Sequence, residues 1–66
     1  MAGYQKMRNE IRVGGFRIQP YEVRKDNVVR LRGMEAYKVW NIIRRFNLDN
    51  PLIYDEVKRL LEEWIS

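Results

Sequence analysis

The sequence predicts an α+β fold in which an N-terminal antiparallel β-meander, of three strands or four, packs against two C-terminal helices. Three observations predict it. Apolar and charged residues alternate between Glu10 and Arg32, the period of half-buried strands, with breaks at Gly14-Gly15, Gln19-Pro20 and Lys25-Asp26-Asn27. From Met34 onward the apolar spacing becomes three and four, the period of an amphipathic helix. Asn50-Pro51 then divides the helical stretch with an N-cap residue and a proline at the first helical position.

Residues 1–9 show no periodicity and are expected to form a flexible basic arm, with residues 10–66 as a single domain. In a first strand, 10–13, Ile11 and Val13 point one way and Glu10 and Arg12 the other. Gly14-Gly15 suits a two-residue hairpin turn needing positive φ, so Val13 pairs with Phe16 and Arg12 lies opposite Arg17. Like charges directly opposite each other on a sheet destabilise it. The arrangement therefore raises the question of what negative group stands near them.

The next run changes parity, because Phe16 and Ile18 share a face with Tyr21 and Val23. One extra residue at Gln19-Pro20 restores the phase, and proline is tolerated at bulges and edges. The expected element is one strand over 16–24 bent at Pro20, with two separate strands as the alternative. A loop at 25–27 leads to a strand over 28–32. The expected register there sets Val23 against Val29, Tyr21 against Leu31 and Glu22 against Arg30.

A first helix is expected over 34–46. On a helical wheel Ala36, Val39, Trp40, Ile42, Ile43 and Phe46 cover about 160°, wider than the ~100° stripe of a helix lying on one surface. This helix is expected to touch the sheet and something further, either the second helix or a partner chain. The second helix, 51–65, places Ile53, Val57, Leu60, Leu61 and Trp64 on one side. Its outer face carries Asp55, Lys58, Arg59, Glu62 and Glu63 at spacings that pair opposite charges.

At 66 residues the chain is one small domain, able to bury only about 60% of its unfolded surface. It has no cysteine to staple it, and a homodimer is one way to enlarge the buried area. No apolar run reaches the ~18 residues of a membrane span and no signal peptide opens the sequence, so no membrane association and a cytoplasmic location are expected. High charge without Cys or His suits a thermophilic source.

The net charge of +4 is unevenly placed, with +5 in residues 1–33 and −1 in residues 34–66. A one-sided basic field attracts polyanions, chiefly nucleic acid. An enzyme is not expected. The chain has no His, Cys or Thr, and its one serine is Ser66, so the usual acyl-transfer nucleophiles and their base are missing. The carboxylate pairs Asp55-Glu56 and Glu62-Glu63 read as salt-bridged helix surface, not as metal ligands. Neither a cofactor nor a metal is implied.

The expected binding surface is the outward sheet face, carrying Arg12, Arg17, Arg24, Arg30 and Arg32, with Lys25 at the adjoining turn. Arginine suits phosphate because its planar fork donates two hydrogen bonds at once. Lys38, Arg44 and Arg45, with Tyr37 and Asn41, form a second basic surface on the first helix. Exposed aromatics for base stacking are few in this reading, since Phe16, Tyr21, Trp40, Phe46 and Trp64 are all assigned inward, leaving Tyr4, Tyr37 and Tyr54. The function expected is non-enzymatic nucleic-acid binding through phosphates with little sequence preference. The alternative is a small regulatory protein that binds a larger protein partner through its helices.

Residues 36–61, "AYKVWNIIRRFNLDNPLIYDEVKRLL", resemble the first two helices of winged-helix regulators, with Tyr54, Glu56, Val57 and Leu61 in the second-helix pattern. The groove-entering third helix of that arrangement has no counterpart in these residues. The meander followed by a helix also resembles the layout of single-strand-binding coactivators and purine-rich-element binders, which use the curved sheet for DNA and the helix for dimerisation.

Overall fold

A computed structural model describes residues 9–65. Four strands, β1 (Ile11–Val13), β2 (Phe16–Gln19), β3 (Glu22–Lys25) and β4 (Val28–Arg32), are followed by α1 (Gly33–Ile43) and α2 (Pro51–Ile65). The strands form one antiparallel sheet in the order β1-β2-β3-β4. This is the predicted meander with two C-terminal helices. The basic arm expected over 1–9 falls, but for Asn9, outside the described residues.

Three two-residue turns build the sheet. At the first, Gly14 takes φ +57° and Gly15 does not adopt a positive value, the pattern of a type II′ hairpin. Val13 pairs with Phe16 and Arg12 with Arg17, as the mirrored sequence implies. At the third turn Asp26 (φ 51°) and Asn27 (φ 68°) both enter the left-handed region, which these residues tolerate better than most. The first and third turns are tied together, for the Asp26 N–H donates to the Gly15 carbonyl at 3.1 Å.

The second turn corrects the expected strand over 16–24. Pro20 and Tyr21 reverse the chain, and β2 pairs with β3 as Ile18 with Val23 and Gln19 with Glu22. A bulge would have left proline inside a ladder it cannot donate to, whereas a turn uses its fixed φ. The parity change read at Gln19-Pro20 was therefore a reversal. Tyr21 consequently sits at a turn tip, 60% exposed, and not in the core.

The register of β4 also differs. Glu22 faces Arg32 and Val23 faces Leu31, but Arg24 faces Val29. Arg30 is thus the extra residue of a bulge. Its side chain leaves the outward face and donates from Nη1 to the Ile65 carbonyl at 3.2 Å, placing a cation at the C-terminal end of α2.

The helices cover one face of the sheet, α1 over β2, β3 and β4 and α2 against β1. Val13, Phe16, Ile18 and Val23 from the sheet meet Ala36 and Ile43 of α1 and Val57 and Leu61 of α2 in a single core. α1 ends at Ile43 and not at 46, and the following residues tighten into bonds such as Phe46 N–H to the Ile43 carbonyl at 3.1 Å. Phe46, Ile42 and Trp64, assigned to inward stripes, are each more than 40% exposed, and Trp40 is only partly buried. α2 begins as expected. Asn50 Oδ1 accepts from the Leu52 N–H at 2.9 Å and the Ile53 N–H at 3.3 Å, satisfying two orphan donors of the first turn.

Tyr54, read as free, is half-buried and anchors the first hairpin, its hydroxyl accepting from the Gly14 N–H at 2.7 Å. Tyr54→Phe is expected to lower stability by about 1 kcal/mol, the net worth of one such bond, and Phe16→Ala by about 3–5 kcal/mol through the cavity left in the core. Urea unfolding monitored by circular dichroism checks both.

Candidate nucleic-acid interface

On the sheet face turned away from the helices, strand pairing aligns Arg12, Arg17 and Arg24 in a row across β1, β2 and β3. Neighbouring strands lie about 4.8 Å apart, so the three guanidiniums share a short stretch of surface. A second row holds Gln19, Glu22 and Arg32. Glu10, immediately before β1, reaches across between the rows.

Glu10 answers the question posed by the opposed arginines. One carboxylate oxygen accepts from Arg17 Nε at 2.9 Å and from Gln19 Nε2 at 3.3 Å. The other meets Arg12 Nη2 at 3.2 Å. One acid therefore bridges both members of the Arg12–Arg17 pair. The Arg17 hydrogen bond is the chief reason its carboxyl is held below the ordinary carboxylate value; Gln19 and Arg12 add to the effect and partial burial opposes it. Glu22 is held low in the same way, first by a hydrogen bond from Arg24 Nε and then by the fields of Arg24 and Arg32, against some desolvation.

Four arginines against two glutamates leave this face with a surplus of two positive charges. The acids use only part of each arginine's donor set of five N–H groups. Arg12 keeps 60% of its side chain exposed, Arg17 40% and Arg24 37%. A cleft of about 660 Å³ opens beside the row, lined by Glu10, Arg17, Gln19, Pro20, Tyr21 and Glu22 together with Asn9. At its edge the Tyr21 ring stacks on Tyr37 of α1, with centroids 5.2 Å apart and planes at 17°. The Gly33 N–H donates to the Tyr21 carbonyl at 3.0 Å, fixing this turn to the start of α1.

The other expected contact residues lie elsewhere. Lys25 is the cross-strand partner of Phe16 on the helix-bearing side, with its ammonium 4.9 Å from the Phe16 ring centre. Arg30 is turned to α2 by the bulge. Lys38 lies on α1 beside an apolar groove. Arg44 and Arg45 follow the end of α1, exposed, with Arg44 Nη1 donating to Asn41 Oδ1 at 3.2 Å. Of the nine basic residues expected to bind, the outward face unites Arg12, Arg17, Arg24 and Arg32. Glu10 shares that face as expected, while Gln19 on it and Tyr21 lining the adjoining cleft were not expected among the contacts. The Pro20 turn was the signal for Tyr21, since a residue at a turn tip is exposed.

Among the described residues no group of three or more His, Cys, Asp or Glu is placed to hold a metal ion, and no helix is long and apolar enough to cross a membrane. No protein-family model, curated protein or solved structure matches this chain. The winged-helix likeness of residues 36–61 accordingly stands on its motif alone, and here the first of the two helices lies on a sheet that precedes both.

The lowered carboxyls make stability depend on acid. A group whose folded pKa lies below its unfolded value stabilises fully above the unfolded value and loses that contribution as pH falls through the folded one. The melting temperature is expected to hold from neutrality to about pH 5 and to fall below about pH 4, where unfolded carboxylates protonate. Glu10→Gln should lower it at pH 7 and flatten the acid decline. Thermal melts from pH 3 to 7 measure both.

Proposed function

We propose that this protein binds single-stranded nucleic acid on the outward face of its sheet, without strong sequence preference. The observation that carries the reading is the Arg12–Arg17–Arg24 row beside an exposed, stacked tyrosine. Guanidinium groups neutralise backbone phosphates. An aromatic ring accepts a base of any identity on its free face. Tyr37 covers one side of Tyr21, leaving the other for a base, and the cleft brings Arg17 and Gln19 next to it. Arg17 supplies the phosphate contact in this reading and the Gln19 amide the polar contact to a base edge.

Glu10 and Glu22 set the strength of the interaction. They hold the arginines extended over the sheet, which limits the ordering left to be done on binding, and they subtract two charges from the field. The protein is a moderate binder that loses its ligand readily as salt rises, since counterion release supplies much of the affinity.

Fluorescence anisotropy against single- and double-stranded oligonucleotides at several salt concentrations tests the proposal. Single strands should bind more tightly, with log K falling against log salt at a slope of about −2 to −3 for three or four neutralised phosphates. Arg12→Glu with Arg17→Glu should abolish binding. Tyr21→Ala should weaken it by about 1–3 kcal/mol through lost stacking. Glu10→Gln with Glu22→Gln should tighten it severalfold, the opposite sign from any loss of structure. Failure to bind every oligonucleotide at low salt refutes the reading.

A further inference from the structure

The apolar side of α1 is wider than the sheet covers. Ala36 and Ile43 are buried and Val39 and Trp40 partly so, while Ile42 is 46% exposed. Val39 and Ile42 line a groove of about 410 Å³ together with Leu31 of β4 and with Trp64 and Ile65 at the end of α2. Trp64 is itself 49% exposed. Single apolar residues on a surface need no explanation, whereas five lining one open groove make it a candidate contact surface. Glu35 and Lys38 complete the lining, both exposed, and neither side chain has an ion pair or hydrogen bond among the described residues.

We propose that this groove is the contact surface between two copies of this chain, related by a two-fold axis that sets the two α1 helices antiparallel. The occupant follows from the order of charges. Glu35, Lys38 and Ile42 are spaced by three and four residues, a single stripe along α1, and Leu31 of β4 lines the same groove. Set antiparallel to itself about the midpoint of Glu35 and Lys38, the stripe places Glu35 against the partner's Lys38 and carries Ile42 toward the partner's groove. Two-fold symmetry makes each contact twice. A parallel copy would oppose Glu35 to Glu35. A uniformly acidic or basic partner helix would likewise leave one of the two charges facing its like. Only a partner carrying the same pair in reverse order satisfies both, and this chain is one.

The size of the core points the same way. Eight apolar residues are fully buried among those described, and chains below about 70–80 residues commonly supplement such a core by association. The surface is separate from the arginine row, so the dimer does not depend on the nucleic-acid reading.

Sedimentation equilibrium of the full chain, from micromolar to millimolar concentration, tests the proposal. The wild type should dimerise with a micromolar dissociation constant. Glu35→Lys and Lys38→Glu should each weaken dimerisation by about tenfold or more, because each creates two like-charge contacts across the axis. The double variant, with both reversals, should return to within about threefold of wild type. Ile42→Gln should leave a monomer. All three positions changed in charge or polarity are exposed, so far-ultraviolet circular dichroism should show an unchanged fold. If Ile42→Gln alone fails to fold, the reversal series decides. The dissociation constant is the readout and not the melting temperature, since a Glu–Lys pair within one helix would be restored by the double reversal too. A wild-type monomer at millimolar concentration overturns the proposal, whatever other protein the groove is then found to hold. A dimer indifferent to the single reversals, or not rescued by the double one, overturns it equally.

Discussion

Each strand of this sheet is joined to the next by two residues, so the placement of the turn decides which face every side chain takes. A two-residue connection pairs the residue before it with the residue after it, and alternation then carries that choice along both strands. Val13 and Phe16 flank the first turn and therefore share a face, and Ile18 and Val23 inherit it through the second. Shifting any of these turns by one residue would send an apolar set to solvent and an arginine set into the core. The same constraint builds the helix-facing core and the outward charge rows. Tyr54 fastens the first turn from α2, and the Asp26 bond to Gly15 fastens it to the third. Two of the turns that decide the register are thus tied by bonds beyond their own strands.

Aligning alternating strands has an electrostatic cost, since the row opposite the core is all arginine. A bare Arg12–Arg17–Arg24 row would repel itself and weaken the pairing that produces it. Glu10 and Glu22 offset that repulsion from within the same face. They do so without closing the surface, because carboxylates accept from one or two guanidinium N–H groups and leave the others pointing outward. The acids that stabilise the sheet therefore also limit its attraction for polyanions. On the proposed nucleic-acid reading, fold stability and ligand affinity are coupled through two residues, with opposite signs.

Local chemistry was legible in the sequence and longer-range accommodation was not. The Gly14-Gly15 hairpin, the Asn50-Pro51 helix start and the inward placing of Val13, Phe16, Ile18 and Val23 each depend on neighbouring residues, and each appears as read. Pro20 was ambiguous because a bulge and a reversal produce the same parity change, and only pairing with a third strand separates them. Arg30 was misplaced for a related reason. Alternation counts residues, while a bulge in β4 removes one from the count, and nothing in Val28–Arg32 marks where. The exposure of Ile42, Phe46 and Trp64 lies beyond any wheel, since a wheel says which residues share a side and not how far the sheet extends beneath them. At the candidate site, four of the expected arginines converge by alternation alone. Glu10 as their bridge required the distance across two strands.

The two surfaces inferred for this chain lie on opposite sides of one sheet, and this follows from the way the helices are used. α1 and α2 cover a single face, so the arginine row stays open on the other, and the groove forms only where α1, β4 and the end of α2 meet. Arg30 belongs to the second arrangement. Turned away from the outward face by the bulge, it holds the Ile65 carbonyl and so sets the end of α2 beside Leu31. Association through the groove, as proposed, would leave both outward faces free. In the proposed dimer, two arginine rows on one particle would convert a second contact with the same strand into an intramolecular event, raising the effective concentration without a new kind of contact. On the proposed reading, a face with a surplus of only two charges would bind weakly alone. Pairing two such faces would gain strength along a strand while each acid stays where the sheet needs it.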